Sequence, residues 1–363
     1  MEFSESFNAQ ELGNYAEAKL SQREKMLWNE LFPAQSIPSL DLSWVKRGNH
    51  YLNKPLRAAA FGEKAARRSP AGFVKIDSEL PLFREAMVVD EKQRRVINDN
   101  LIIYKGKDDI IEQLLQNLYD EHAQLIWGAH VNCDLMMGSL LTSCKIAFSS
   151  DVNDGRTNNY AYDYDPDGSW AENNVCQLSA GQYWNDACKS TNDPLDDLLS
   201  IIDDQKQNGW TTAKILMNTS TFRGLCKSES ISKAIAPLGG VVRRSQVQEF
   251  IEDETKCKLI IYDRLVDNGG DAPVNVIPDG KVCLLPDGAL GNMCFAPTPE
   301  AYNKQLGKTE PRKDIAVMKN GVTILTRADD NPVDYETIVS MCALPSFPMM
   351  DAVYVLNVLE PSN

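Results

Sequence analysis

The sequence predicts an α+β chain, and three observations carry that reading. Apolar residues from Asp108 to Leu141 keep helical spacing over many turns. A middle stretch, from Asp193 to Leu285, alternates helix-like and strand-like segments. The tail, Val322–Arg327, Tyr335–Ala343 and Ala352–Val358, reads as three strands with no helix between them.

Residues 1–45 begin polar and then suggest a short amphipathic helix near Ser21–Phe32. Ser21 and Glu24 have the spacing of a capping box, and Pro33 and Pro38 stop the helix. From Lys46 to Ile76 the chain is punctuated by Gly48, Pro55, Gly62, Pro70 and Gly72, with Tyr51, Phe61 and Phe73 between them. Such texture reads as a long two-stranded excursion. Phe83–Tyr104 looks extended. The helix from Asp108 to Leu141 follows, with Ile110, Leu114, Leu118, His122, Leu125, Ile126 and Ala129 on its apolar face. At its full length it would run about 45–50 Å, with fraying expected at Gly128 or Gly138.

Cys144–Ser149 reads as a strand and Ser150–Asn192 as a loop-rich segment. Asp193-Pro194-Leu195-Asp196-Asp197 is a helix start, with Asp193 as the cap, Pro194 in the first turn and two acids at the positive end of the dipole. Beyond it come a strand at Ala213–Met217 and helices near Ser220–Lys227, Ser230–Leu238 and Ser245–Glu254. Strands follow at Lys258–Asp263 and Val282–Leu285, with a hairpin-like excursion at Val274–Gly280.

Composition narrows the function. In 363 residues, 43% are apolar and 24% charged, which excludes a disordered or fibrous chain. No run approaches the roughly 18 apolar residues of a membrane span, and Met1–Gln10 has no secretory character, so the expected place is the cytoplasm. The nine cysteines (Cys133, Cys144, Cys176, Cys188, Cys226, Cys257, Cys283, Cys294 and Cys342) include no Cys-x-x-Cys pair and read as reduced core residues. Three histidines, His50, His122 and His130, leave little for acid–base or metal chemistry.

Charge is unevenly placed. The chain has a formal charge of −14. Between residues 46 and 76, however, Lys46, Arg47, Lys54, Arg57, Lys64, Arg67, Arg68 and Lys75 face Glu63 alone. That segment is basic and the remainder strongly acidic, as expected of an arm that meets an acidic surface on another copy or another polymer. Nucleic acid fits less well, because the acidic body repels a polyanion. A segment this long without a core of its own needs a neighbour to order it.

Catalytic motifs are missing. Gly307-Lys308-Thr309 resembles the end of a phosphate loop, but Tyr302 holds the position of its first glycine. There is no dinucleotide fingerprint after Ala213–Met217, no nucleophile elbow and no His-Glu-x-x-His. Asp163-x-Asp165-x-Asp167-Gly168 matches the first half of a calcium loop. Asn174 stands where the bidentate acid belongs and Pro166 lies inside, so an Asp/Pro/Gly turn is the favoured reading. His122 and His130, eight residues apart on one helix, cannot share one metal and read as core or interface histidines.

The run from Trp28 to Arg95 is similar to the N-terminal part of the major capsid protein E family, the lambda-type tailed-phage shell proteins. It has an apolar helix ending in an aromatic-Pro step, a strand, a basic loop rich in Gly and Arg, and an extended segment leading to a long helix. Asp193-Pro194-Leu195-Asp196-Asp197, the segment Ile215–Gly224, Ile261–Asp263, Val276–Pro286 and the closing strands to Val358 then occur in the family's order. The resemblance implies a Hong Kong 97-type subunit. Residues 1–45 would be its N-arm, 46–95 its extended E-loop and 96–194 its peripheral domain with spine helix 108–141. Residues 195–318 would form the axial domain, and 319–363 closing strands of the peripheral domain.

The implied function is that of a major capsid protein assembling as pentamers and hexamers of an icosahedral shell around double-stranded DNA. Lys46, Arg47, Lys54, Arg57, Lys64, Arg67, Arg68 and Lys75 would be the inter-subunit contacts of the E-loop, with no catalytic, cofactor or metal residue. Implied partners are other copies, a separate scaffolding protein and a portal, with a decoration protein left open. Packaged DNA would be met only by non-specific proximity, and no membrane is involved. The place is then the virion, after assembly in the host cytoplasm. Two further readings stand beside this one: an encapsulin-like nanocompartment shell, and a soluble α/β enzyme binding a small ligand.

Overall fold

The computed structural model describes residues 8–22, 26–46, 74–103, 108–151, 157–267, 272–308, 313–318, 320–329 and 334–361. The chain divides into two compact units. One comprises Met1–Leu42, Asp77–Met136 and Asn292–Ser346; the other comprises Ser43–Ile76, Met137–Gly291 and Phe347–Asn363. Both mix helix and sheet, as the α+β reading expects.

The first unit is built on the twelve-residue strand Tyr335–Ser346, whose Val, Ile and Thr content suits a buried central strand. It pairs antiparallel with Leu82–Val89, Thr323–Ala328 and Asn292–Ala296. Lys313–Val317 and Ala34–Ser36 complete the six-stranded sheet. Helix Ala9–Gln22 lays Ala9, Leu12 and Ala16, all fully buried, in this unit. Asn8 caps it, its side-chain oxygen accepting from the Glu11 amide at 2.8 Å.

That helix corrects the reading of a polar start followed by a helix at Ser21–Phe32. Ser21 lies in the last turn of Ala9–Gln22, Trp28–Leu31 is the helical part of the described residues 26–32, and Glu24 falls outside the described residues. The extended reading of Phe83–Tyr104 holds only to Val89, because Glu91–Ile103 is a helix. A capping box opens it. The Gln93 amide donates to Asp90 Oδ1 at 2.7 Å, and the Asp90 amide donates to Gln93 Oε1 at 3.2 Å.

Helix Asp108–Ser143 has 36 residues, about 54 Å at the standard rise. It runs unbroken through both glycines, against the expectation of fraying. At Gly138 a side chain has no room, since an added Cβ would lie 2.2 Å from the Val276 carbonyl oxygen. The glycine is there for close packing. Cys144 ends the helix in the left-handed region at φ 53°.

The second unit holds a five-stranded sheet in the order Val175–Gln177, Tyr354–Asn357, Lys281–Pro286, Thr212–Met217, Lys258–Ile261. Helices Pro194–Gln207, Thr219–Cys226, Glu229–Ile235 and Arg244–Thr255 accompany it. Leu198, Ile201 and Ile202 form the buried stripe of the first of these. That helix starts where expected, but Asp193 does not cap it. The carboxylate instead accepts from the Ser230 hydroxyl at 3.2 Å. Ser150–Asn192 is also more regular than expected. Thr157–Asp163 pairs with Lys145–Asp151, and Ser169–Asn174 is a short helix leading into strand Val175–Gln177. The last strand, Tyr354–Asn357, pairs with Lys281–Leu284 and so lies apart from the other two closing strands.

Six cysteines are buried and all nine are free thiols, but Cys176 is exposed, which corrects the reading of a core residue there. Among the described residues, no helix is long and apolar enough to cross a membrane.

The two glycines of the long helix should separate in unfolding experiments. Gly138→Ala should lose about 1–3 kcal/mol through overpacking. Gly128→Ala, with no atom within 4 Å of the new Cβ, should gain about 0.5–1 kcal/mol. Urea midpoints of the two variants give the test, and equal midpoints would contradict it.

Candidate assembly interface

The structure describes the two ends of the basic segment. Strands Asp41–Lys46 and Val74–Glu79 pair as a two-stranded ribbon. Alternation along Asp41–Lys46 buries Leu42 and Trp44 and turns Asp41, Ser43 and Val45 outward. Trp44 stacks on Tyr164 with ring centroids 5.7 Å apart. One step on, Lys46 Nζ lies 2.8 Å from Asp351 Oδ1, with both side chains largely covered.

The turn that carries Asp351 is itself held. Asn174 Nδ2 donates to the Asp351 and Val353 carbonyls at 2.9 and 3.0 Å, and Trp170 Nε1 donates to the Met350 carbonyl at 2.9 Å. Helix Ser169–Asn174, which supplies both side chains, is fastened by buried Asp165. The two carboxylate oxygens of Asp165 accept from the Trp170 and Ala171 amides at 2.9 Å each. A chain of short contacts thus runs from Asp165 to Lys46.

This explains the half calcium loop. Asp163 binds Lys145 Nζ at 2.9 Å and accepts from the Asp165 amide at 3.0 Å. Burial opposes its ionisation, but these bonds outweigh burial and hold its pKa below the usual carboxylate range. The Ser169 hydroxyl and amide lower Asp167 in the same way. The three carboxylates serve as acceptors within a turn, and no metal-holding group of acids, histidines and cysteines occurs among the described residues.

Of the eight expected contact residues, Lys46 is drawn inward to Asp351, and Lys75 lies exposed on the second ribbon strand. Arg47, Lys54, Arg57, Lys64, Arg67 and Arg68 lie outside the described residues. Trp44, Tyr164 and Asp351 went unread in the sequence. The alternation in Asp41-Leu42-Ser43-Trp44 was the signal that pointed to a buried anchor.

Both helical histidines are core residues. His130 stacks on Trp28 at 5.9 Å, and its Nε2 lies 2.9 Å from Asn320 Nδ2. His122 is fully buried, which lowers its pKa to about 4.

A model of the phage major capsid protein E family matches residues 12–357. Several solved structures share the fold. A putative capsid protein of an Escherichia coli CFT073 prophage aligns over 97% of this chain and 99% of its own, with TM-score 0.59 and 11% identity. A phage-related protein from Bordetella bronchiseptica RB50 aligns over 96% of each chain, with TM-score 0.53 and 12% identity. The capsid asymmetric unit of cyanophage A-1(L) aligns over 93% of each chain, with TM-score 0.51 and 11% identity. A search of curated proteins finds no match.

Two measurements follow from this geometry. Lys46→Ala should lower the stability of the isolated chain by about 1 kcal/mol, and pairing Lys46→Asp with Asp351→Lys should recover part of that loss. Thermal melting checks it; an unchanged midpoint in the single variant would show that Lys46 is no anchor. The depressed pKa of His122 sets a second sign. Stability from its neutral form is complete above pH 6.5 and is lost as pH falls toward 4. His122→Leu should therefore lose less stability than the unaltered chain between pH 7 and 4.5, by up to about 2 kcal/mol in urea titrations.

Proposed function

The chain belongs to the phage major capsid protein E family, and from that premise we propose how its copies build a shell. It is a major capsid protein, a structural component of the virion. The single observation that carries this is a family match spanning nearly the whole chain. That match does not favour the nanocompartment and enzyme readings.

In our reading the subunit is of Hong Kong 97 type, and its copies form pentamers and hexamers of an icosahedral shell around double-stranded DNA. Residues 1–45 act as the N-arm, 46–95 as the E-loop and 96–194 as the peripheral domain, with the long helix as its spine; the pairing of Leu82–Val89 with Tyr335–Cys342 favours ending the E-loop before Leu82. Residues 195–318 form the axial domain, except that the sheet which Asn292–Ala296 and Lys313–Val317 share with Tyr335–Ser346 favours placing those two strands with the peripheral domain. The closing strands after residue 319 return to the peripheral domain, except that the pairing of Tyr354–Asn357 with Lys281–Leu284 favours placing that strand with the axial sheet.

The E-loop of one copy lies over its neighbour. Arg57, Lys64, Arg67 and Arg68 meet acidic surface there, while Trp44 and Lys46 hold the root of the loop to its own subunit. Anchoring one end lets the far end find a neighbour at lower entropic cost. Each rim pair contributes only about 0–1 kcal/mol, yet closed symmetry multiplies weak contacts into a durable shell. Weak polar contacts also permit the shell to expand as the genome enters. A scaffolding protein and a portal fit this reading, with DNA met only by proximity. The excess of acid keeps DNA from adhering to the inner wall.

Expression followed by light scattering and electron microscopy tests the proposal. Ring-sized or megadalton species support it, and a stable 40 kDa monomer under all conditions would overturn it. Arg67→Glu with Arg68→Glu should leave the melting temperature unchanged and abolish those species. Normal assembly by that variant would remove the E-loop pairing.

A further inference from the structure

In the second unit, the loop between helices Glu229–Ile235 and Arg244–Thr255 presents apolar side chains to water. Leu238 is 101% exposed and Val241 95%, whereas no other large hydrophobic residue among those described exceeds the 69% of Ile103. Isolated exposed aliphatics are ordinary, but two fully uncovered ones on one tight turn are not.

The turn is built to hold them out. The Gly239 amide donates to the Ala236 carbonyl at 3.0 Å, and Gly239 and Gly240 take φ of 83° and 155°, which side chains rarely adopt. At the far end, the Arg243 amide donates to Gln246 Oε1 at 2.9 Å, fixing the start of the next helix. Beyond the apolar tip stand Arg243 and Arg244, both exposed.

Helix Pro194–Gln207, in the same unit, offers complementary chemistry. Half-buried Leu195 and Leu199 lie one turn apart and form a shallow apolar strip. Exposed Asp196, Ser200 and Asp203 flank it, Asp203 also lying 3.1 Å from Lys206 Nζ, so acid borders the strip as arginine borders the tip. Leu238 and Val241, being uncovered, do not contact this strip in their own chain.

We propose that loop 236–244 of one copy docks on the Leu195/Leu199 strip of a second copy, with Arg243 and Arg244 meeting Asp196 and Asp203. Tip and strip are different surfaces, so the contact is head-to-tail and generates a ring when its rotation closes. This rests on the self-assembly reading above and names a contact independent of the basic excursion.

The test uses the full chain, read by light scattering and electron microscopy. Leu238→Asp with Val241→Asp should keep the circular dichroism and melting temperature of the unaltered chain, while assembled species fall about tenfold or more. Arg243→Glu with Arg244→Glu should fail likewise. Adding Asp196→Lys and Asp203→Lys to that arginine variant should restore assembly. Normal assembly by either loop variant would overturn the proposal, as would failure of the charge exchange to rescue. If the unaltered chain itself stays monomeric, the self-assembly reading has failed instead.

Discussion

The contact between Lys46 and Asp351 ties the described end of a strongly basic segment to the acidic body of the protein. In the proposed assembly, a segment that reaches a neighbour must be gripped at its root to bring the neighbour into register. Trp44 supplies the apolar part of that grip and Lys46 the directional part. The pair is effective because Asp351 is already fixed by Asn174 and Trp170, so little freedom is lost when the lysine arrives. Asp165, spending both oxygens on backbone amides, is the remote end of that arrangement.

Long-period features were legible in the sequence. The helix from Asp108 was read to within two residues of its end, since its apolar repeat is sustained over many turns. Asp193-Pro194 marked a true helix start because proline at the first turn is a backbone constraint independent of context. Helix Ala9–Gln22 was missed because its buried stripe of Ala9, Leu12 and Ala16 contains a single large apolar side chain, which barely raises the apolar signal. Glu91–Ile103 was missed for a related reason. Its surface is mostly polar, with Val96 and Ile103 exposed, so only the Asp90/Gln93 cap announced it.

The candidate interface was legible by charge and not by geometry. Counting cations identified the segment after Trp44, but nothing in the count distinguishes a lysine that faces its own chain from one that faces another. Lys46 shows the difference. Its partner lies 305 residues away, on a turn whose position depends on Trp170, Asn174 and Asp165 together. The half calcium loop, read as an Asp/Pro/Gly turn, was ambiguous for the opposite reason. Carboxylates at alternate positions suit a metal and also suit a tight turn feeding a helix, and only the amides of Trp170 and Ala171 decide between the two.

Net charge sets the remaining constraint. Copies that each carry −14 repel one another at long range, and at physiological salt this repulsion is screened within about 8 Å. Attraction between copies must therefore act at contact distance and gather its cations in a few places. In the proposed assembly the residues from 46 to 76 would be one such place, and Arg243 with Arg244 beside an apolar tip another. Each works against the same acidic background, so neither can act as a general adhesive. A misplaced copy brings acid against acid, and only the register that sets cations over carboxylates lowers the energy. Self-repulsion is thus what makes a small number of weak contacts specific.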